Sequence, residues 1–511
     1  MKSALLGFRC GNTRFRGRGG TRPSRPAKTS GGRDGFHAIR GFSLMLLFVL
    51  GTGASAFARR PNIVLIMADD LGYEALGVHG GAFCRTYNNE RDHRMVGEGK
   101  TVEVKSTTPY QTPVLDRLAR TGVRFEQCHA QPLCTPSRVK IMTGKYNSRN
   151  YRGFGLLDPG ETTFAHLLKQ AGYATCIAGK WQLNGKPKAT DEEMLNRPRR
   201  FGFDEWSLWH LTTNGRTHVD GRRVDGRYAH PVLSINGKLH DRMKDEYGPQ
   251  VCTDYILDFI ERNKDEPFFV YYPMILTHCP FTITPDSPEW QDPATRKAES
   301  SYKGRPKYFP DMVAYMDKLI GRIVDKLDQE GLRDNTLVLF TGDNGTDMPI
   351  VSTLNGRLVA GGKGTSTDWG TRVPLIASWP GVIPPGQVRD DLVDCSDFLP
   401  TLCEAAGASI PEDLKIDGRS FLPQLRGNKG NPRDYIYAWH FPWGPKRGAA
   451  EWARTRRYKL YQDGRFFDVS KDVLEREPLG NDALTPETRR IRDMLRAAIE
   501  KNTRPGFYEP K

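Results

Sequence analysis

The sequence lacks several features that would define other classes of protein. Its longest apolar stretch, residues 42–50, is far short of the ~20 residues that span a bilayer. Its nine cysteines form no C-x-x-C pair, and a chain of 511 residues needs no disulfides to fold, although Cys395 and Cys403 could pair. The 52 glycines follow no strict period, which excludes collagen, and 38% hydrophobic residues exclude a disordered chain.

A strongly basic face is also missing from most of the chain. The formal net charge is +15, but residues 1–58 alone hold ten Lys and Arg against one Asp. The remaining +6 is spread over 453 residues without a recognisable nucleic-acid-binding module. The composition therefore argues against a nucleic-acid partner.

Residues 1–58 have the pattern of a signal peptide or leader. A basic stretch precedes the apolar run 42–50, small residues follow, and Ala56-Phe57-Ala58 offers an A-x-A cleavage site. A disordered tail followed by a buried helix is the alternative. We expect an exported protein, periplasmic or secreted, without a stable membrane anchor; Met45 leaves the true start codon open.

The rest of the chain alternates buried strands with amphipathic helices, which predicts an α/β fold: a large mixed, mostly parallel sheet flanked by helices. A Gly-, Asn- and Pro-rich stretch near residue 430 suggests a boundary. We expect a catalytic domain over 59–430, a smaller C-terminal α+β subdomain over 431–511, and a surface insertion over 84–108. Predicted strands cover 62–67, 123–128, 173–178, 268–272, 336–340, 435–439 and 458–461; predicted helices cover 113–121, 164–170, 311–330 and 486–501.

Four of the predicted strands run into polar residues at their carboxyl ends, where open α/β sheets bind ligands. These residues are Asp69 and Asp70, Lys180, His278, and Asp343 with Asn344. An Asp after a strand is often only the N-cap of the next helix, but four such ends on one edge are a stronger signal. Oxygen donors of this kind suit Ca²⁺ or Mg²⁺ and not zinc.

A second cluster surrounds Cys134. Thr135 and Pro136 have the pattern of a helix N-cap and first turn, which would place Cys134 just before a helix N-terminus that favours anions. A buried or disulfide-bonded cysteine and a low-pKa thiolate nucleophile are the two alternatives from the residues alone.

Together these motifs resemble the sulfatase family. Cys134-Thr-Pro-Ser-Arg138 followed by Thr143-Gly144 is similar to that family's Cys-x-Pro-x-Arg signature. Other family-like blocks recur in the expected order: residues 60–72, 112–119, 122–125, 179–181, 277–278, 341–345, 362–363 and 372–374. The resemblance covers the chain from about residue 60 onward and implies an alkaline phosphatase-like fold.

The resemblance implies a formylglycine-dependent sulfuric ester hydrolase that cleaves an aryl or carbohydrate sulfate monoester. A separate maturation enzyme would oxidise Cys134 to formylglycine, whose hydrated form takes the sulfuryl group on one hydroxyl and expels sulfate with the other. One Ca²⁺ (Mg²⁺ is possible) would be held by Asp69, Asp70, Asp343, Asn344 and residue 134. Arg138 would hold the formylglycine, and Lys180, His278 and Lys363 would contact the sulfate or its leaving group.

One position departs from the family pattern. The family usually has His after Lys-Trp, but here Lys180-Trp181 is followed by Gln182, which cannot accept a proton at neutral pH. Two other functions stay open: a phosphodiester or phosphonate monoester hydrolase of the same superfamily, which can share this fold and nucleophile, and a non-catalytic binder of sulfated glycans, which Gln182 makes plausible. The aromatic segment Trp439–Trp443 could line a substrate pocket or pack between domains.

Overall fold

The computed structural model describes residues 60–86, 103–185, 191–209, 216–219, 222–241, 243–297, 301–444 and 448–507. The predicted leader, 1–58, lies outside these residues. None of the described helices is long and apolar enough to cross a membrane.

The described part of the chain contains twenty strands. Ten form the central sheet, and the others form three smaller sheets. In chain order they are β1 (Asn62–Ala68), β2 (Gly81–Thr86), β3 (Val104–Pro109), β4 (Val123–His129), β5 (Ala174–Lys180), β6 (Glu205–Trp209), β7 (Arg216–Val219), β8 (Arg222–Asp225), β9 (Leu233–Ile235), β10 (Lys238–His240), β11 (Phe268–Pro273), β12 (Thr336–Gly342), β13 (Val351–Leu354), β14 (Arg357–Ala360), β15 (Arg372–Ser378), β16 (Gln387–Asp394), β17 (Ile436–His440), β18 (Ala450–Arg454), β19 (Tyr458–Tyr461) and β20 (Phe466–Asp468).

The helices of the described residues pack mostly against the central sheet. In chain order they are α1 (Pro113–Thr121), α2 (Cys134–Thr143), α3 (Asn147–Asn150), α4 (Phe164–Gln170), α5 (Asp191–Leu195), α6 (Arg197–Arg200), α7 (Gly248–Arg262), α8 (Phe309–Gln329), α9 (Asp368–Thr371), α10 (Phe398–Ala406), α11 (Leu422–Leu425) and α12 (Pro486–Asn502).

The central sheet has the order β10-β9-β6-β5-β11-β1-β12-β15-β4-β16. The pairs β5–β6, β5–β11, β11–β1, β1–β12 and β4–β16 are parallel, whereas β15 runs antiparallel to both of its neighbours. The predicted mixed, mostly parallel sheet is therefore confirmed.

Helices cover both faces of this sheet, which explains why its central strands read as continuous apolar runs. In β1, Val64 and Ile66 point into one core with α7 and α8, while Ile63 and Leu65 point into the other with α2, α4 and α10. Because side chains alternate along a strand, burial on both faces favours apolar residues at successive positions.

Two of the smaller sheets have four strands each and lie outside the central sheet. Residues 84–108, expected as a surface insertion, contribute to strands β2 and β3, which extend the β13–β14 hairpin into the sheet β14-β13-β2-β3. The polar β3 is mostly exposed, which is why its sequence showed no strand signal. Strands β17–β20 form an antiparallel sheet covered by α12. All eight cysteines of the described residues are free, so Cys395 and Cys403 do not pair.

Candidate active site

Four adjacent strands bring the predicted polar residues to one edge of the sheet. Strands β5, β11, β1 and β12 are neighbours, and Asp69, Lys180 and Asp343 lie at or just past their carboxyl ends. His278 follows β11 through a loop that is bonded to β1's end, where Thr277 N–H donates to the Asp69 carbonyl at 2.9 Å. The parallel arrangement therefore places residues from distant parts of the chain side by side.

Cys134 lies at the N-terminus of α2, but the predicted cap is wrong by two residues. Leu133 is the N-cap and Cys134 is the first helical residue, so Thr135 and Pro136 lie within the first turn. Cys134 is 3% exposed, and its thiol donates to Gln182 Oε1 at 3.3 Å. Burial raises the pKa of this thiol, which disfavours the alternative of a low-pKa thiolate.

Three buried carboxylates form the centre of the cluster, and each is paired with a cation: Asp69 and Asp343 with buried ones, and Asp70 with the half-buried Lys363. Lys180 Nζ contacts both oxygens of Asp69, at 3.0 and 2.7 Å, and Lys363 Nζ contacts Asp70 Oδ2 at 2.5 Å. Arg138 donates to Asp343 Oδ2 from Nε at 3.2 Å and from Nη2 at 3.0 Å. Cations and carboxylates balance, so a divalent ion would leave the cluster with a positive charge suited to an anion.

The carboxylates differ in their electrostatic environment. Burial raises the pKa of Asp70, and it raises that of Asp343 to about 7 with help from nearby Asp69. Burial would also raise the pKa of Asp69, but Lys180 and Arg138 outweigh it and hold that pKa below its ordinary value. Crowded carboxylates of this kind are stabilised by a bound cation.

The donor set fits a hard divalent cation. Asn344 Nδ2 donates to Asp70 Oδ1 at 2.8 Å and to the Gly345 carbonyl, while its Oδ1 is buried and makes no hydrogen bond to the described residues. Ligand atoms of Asp69, Asp70 and His278 all lie within 4.8 Å of one another. An orphaned buried oxygen beside carboxylates is the chemistry that calcium or magnesium requires.

His278 lies between two cations. Its Nε2 is 3.0 Å from Lys363 Nζ, and its Nδ1 is 2.6 Å from Arg227 Nη1. Burial, together with Lys363 and Arg227, holds the pKa of His278 well below its ordinary value, so the ring is neutral at pH 7. Burial opposes the charge of Lys363, but Asp70 and Asp347 outweigh it and raise the pKa of that amine. The pair thus combines a charged amine with a neutral imidazole.

The structure brings all nine predicted site residues into one cluster. Arg138 follows Cys134 by one helical turn, and the other seven residues connect through the contacts described above. The nine residues are Asp69, Asp70, Cys134, Arg138, Lys180, His278, Asp343, Asn344 and Lys363.

Sequence reasoning missed the residues that support this cluster. Arg227 is 5% exposed and contacts both His278 and the Cys279 carbonyl. Thr346 Oγ1 accepts from Gly72 N–H at 3.0 Å and donates to Glu74, which joins the loop after β1 to the loop after β12. Thr346 directly follows Asp343-Asn344-Gly345, and this position beside predicted site residues could have identified it from the sequence. No sequence feature marks Arg227 as part of the site.

Gln182 occupies an unusual backbone conformation. Its φ is +53°, in the left-handed region that non-glycine residues rarely adopt. Backbone strain of this kind tends to persist where the surroundings impose it, often at functional sites. The strain and the contact with Cys134 together place Gln182 in the candidate site.

Comparison with solved structures assigns the class of the fold. The structure of BT4656 in complex with its substrate, D-glucosamine-2-N,6-O-disulfate, matches with a TM-score of 0.65 and 22% identity over 89% of this chain and 100% of that one. The phosphonate monoester hydrolase of Agrobacterium radiobacter matches with a TM-score of 0.57 and 19% identity, over 87% and 95%. The fold is alkaline phosphatase-like.

Sequence comparison assigns the family. The Sulfatase family model matches residues 61–408, and a model described as the C-terminal part of N-sulphoglucosamine sulphohydrolase matches 365–504. Arylsulfatase A of Homo sapiens is 32% identical over 438 residues, covering 81% of this chain and 77% of that protein. N-acetylgalactosamine-6-sulfatase of Canis lupus familiaris is 30% identical over 427 residues, covering 77% and 71%. The chain belongs to the sulfatase family and is a sulfatase, which confirms the resemblance seen in the sequence.

Proposed function

We propose that this sulfatase cleaves an aryl or carbohydrate sulfate monoester with formylglycine derived from Cys134. The observation that carries the proposal is a set of three cations, the buried Arg138 and Lys180 and the half-buried Lys363, held by carboxylates beside the first residue of α2. These cations oppose the charge that develops on sulfuryl oxygens in the transition state. Hydrated formylglycine supplies a nucleophilic hydroxyl and a second hydroxyl on the same carbon.

Asp69, Asp70, Asp343 and Asn344, with residue 134, would hold one divalent cation, which we propose to be Ca²⁺. Such an ion supplies positive charge for the sulfuryl oxygens and lowers the pKa of a bound hydroxyl. The lone Asn344 Oδ1 and the raised pKa values of Asp70 and Asp343 support this assignment. Mg²⁺ is the other cation that this oxygen set accepts.

The remaining residues divide into two groups. Arg138 fixes Asp343 and lies one turn from residue 134, so it orients both, while Lys180 holds Asp69 from the end of β5. Lys363 Nζ carries the proton that the leaving oxygen needs, and neutral His278 Nε2, 3.0 Å away, is placed to orient that amine. General acid catalysis of this kind contributes about 10²–10⁴ in rate.

Gln182 holds the side chain at position 134 without acting as a base. Its Oε1 already accepts a hydrogen bond from Cys134, and the same oxygen can accept one from a hydroxyl on that carbon. A carboxylate of the cluster or water must therefore remove protons there. We also propose export of the chain after removal of residues 1–58, maturation by a formylglycine-generating enzyme, and the division into 59–430 and 431–511.

Two measurements test the proposal. Protein made with a maturation enzyme should show the mass loss of thiol-to-aldehyde conversion in the peptide carrying residue 134, and should release sulfate from a sulfate ester. Cys134→Ala is the matched control and should release none. An unconverted peptide from the native host, or sulfate release that persists in Cys134→Ala, would contradict the mechanism.

The other candidate functions have their own readouts. Faster turnover of a phosphodiester than of a sulfate ester with the same leaving group would favour the phosphodiesterase, a reaction suggested by the fold shared with the phosphonate monoester hydrolase. Tight binding of a sulfated sugar by aldehyde-bearing, calcium-loaded protein without sulfate release would favour the non-catalytic binder.

A further inference from the structure

Two aromatic side chains that the proposed chemistry does not use lie on loops, one of which is hydrogen-bonded to residues that adjoin the candidate site. Trp443 is 56% exposed, an unusual state for a tryptophan in the described residues, and its ring lies 5.5 Å from that of Phe154 at an interplanar angle of 30°. Phe154 is itself half-buried. These two rings form what we call the aromatic platform.

The structure separates the two tryptophans of the segment 439–443. Trp439 is 2% exposed and packs on Phe441, Phe507 and Arg504, so its role is interior packing. Trp443 instead lies at the tip of a tight turn, in which Gly444 N–H donates to the Phe441 carbonyl at 3.2 Å. The Pro442 carbonyl accepts from the Tyr151 hydroxyl at 3.3 Å, which fixes the turn.

Backbone contacts place Phe154 at the edge of the active site. The next residue, Gly155, donates its N–H to Thr135 Oγ1 at 3.2 Å, and Thr135 follows Cys134 directly. The Gly155 carbonyl accepts from Gly185 N–H at 2.5 Å, and Leu157 N–H donates to the Leu183 carbonyl at 3.0 Å. Residues 155–157 therefore pair with 183–185, the segment immediately after Gln182, so the residue next to Phe154 lies between Thr135 and that segment.

Resting on the proposed function, we propose that the aromatic platform is a subsite for a sugar ring of the substrate, which makes the substrate a carbohydrate sulfate. The face of an aromatic ring carries partial negative charge and attracts the C–H groups on one side of a pyranose. Two rings present at most about 500 Å², far below the ~1,200 Å² of a stable protein interface. A small ring-shaped ligand suits that area.

Binding to the full-length Cys134→Ala chain tests this subsite, because the ester is not consumed. In the presence of calcium, titration calorimetry compares glucosamine 6-sulfate, N-acetylgalactosamine 6-sulfate and galactose 6-sulfate with 4-nitrophenyl sulfate and inorganic sulfate. We expect at least one sulfated sugar to bind more tightly than inorganic sulfate. Trp443→Ala should weaken that sugar about three- to tenfold and change inorganic sulfate less than twofold.

Two further variants keep the test specific. Trp443→Phe retains an aromatic face and should keep most of the affinity, while Val388→Ala removes an equally exposed apolar side chain from strand β16 and should have no effect. The inference is overturned if no sulfated sugar binds more tightly than inorganic sulfate. It is also overturned if Trp443→Ala leaves sugar affinity unchanged, weakens sugar and inorganic sulfate equally, or weakens only 4-nitrophenyl sulfate. Sulfate release by the matured wild-type chain tests the proposed function separately.

Discussion

The C-terminal sheet, β17–β20, is hydrogen-bonded to the loop that carries Lys363. Removing one hydroxyl group from that sheet tests whether these hydrogen bonds keep the loop in place. Tyr461 in β19 shares a hydrogen bond of 2.7 Å with Ser366 Oγ, while Lys459 of the same strand donates to the Ser366 carbonyl. Arg454 of β18 pairs with Asp368 in α9. Three buried side chains of the C-terminal sheet therefore bind residues 363–371 through hydrogen bonds and an ion pair.

Tyr461→Phe removes one of these hydrogen bonds and keeps the aromatic ring. The Ser366 hydroxyl loses its partner, and Glu475 keeps only the contact with Lys459 at 2.8 Å. A hydrogen bond lost in a buried setting costs about 1–2 kcal/mol, which corresponds to a fivefold to thirtyfold increase in opening of the loop.

Hydrogen exchange followed by mass spectrometry measures that opening directly. Peptides covering 363–371 should exchange five to thirty times faster in Tyr461→Phe than in the wild type. Since we propose that Lys363 supplies the leaving-group proton, the rate on sulfate esters should also fall more for poor leaving groups than for good ones. Tyr458→Phe, which removes a hydroxyl from a ring stacked on Phe466, is the matched control.

Two results would refute the reasoning. One is an unchanged exchange rate in 363–371. The other is an equal acceleration throughout α12, which would mean that the substitution loosens the whole C-terminal sheet and not the loop. A uniform fall in rate across all leaving groups would show that Lys363 keeps its position.

Three more predictions concern the residues around this loop. Burial alone would raise the pKa of Asp368, but Arg454 outweighs burial and lowers that pKa from 3.8 to about 2. Ionised Asp368 therefore adds about 2 kcal/mol to the free energy of unfolding above pH 4, and this contribution is lost as the pH falls through 2. Denaturant unfolding of wild type and Asp368→Asn should differ by that amount at pH 7 and converge near pH 2. Asn344→Ala should weaken calcium binding at least tenfold, seen as a smaller calcium-dependent rise in melting temperature; an equal rise would exclude Asn344 as a ligand. Lys363→Met should lower kcat/KM about 10²–10⁴-fold, most for poor leaving groups, and equal losses for all leaving groups would assign the proton to another residue.

Much of the central sheet was predictable because its strands are buried on both faces. Residues 63–67 and 337–340 are apolar throughout, and the structure extends the predicted strands 62–67 and 336–340 by only one or two residues, to β1 and β12. The start of α2 was misplaced because Thr135-Pro136 has the pattern of a cap, although Leu133 takes that position. Helix starts are predicted from residues whose side chains can cap the first turn. Leu133 makes no such side-chain hydrogen bond, so its position as the N-cap could not be recognised from the sequence.

The predicted site residues converge because the ends of parallel strands share one edge, a rule that applies before any coordinates are known. The supporting contacts follow no such rule. Ser366 and Tyr461 lie 95 residues apart, and Arg227 lies 51 residues from His278. Their partners are set by tertiary packing, which leaves no periodic pattern in the sequence.

The oxygen donors of the candidate metal site come from parts of the sequence that lie far apart. Asp69 and Asp70 follow β1, whereas Asp343 and Asn344 follow β12, and the two pairs meet only because those strands are neighbours. A ribosome has therefore made most of the chain before the second pair exists. Products of termination between residues 134 and 343 would carry only three of the five proposed ligands, so tight retention of calcium would report that synthesis had passed residue 344 and that β12 had docked.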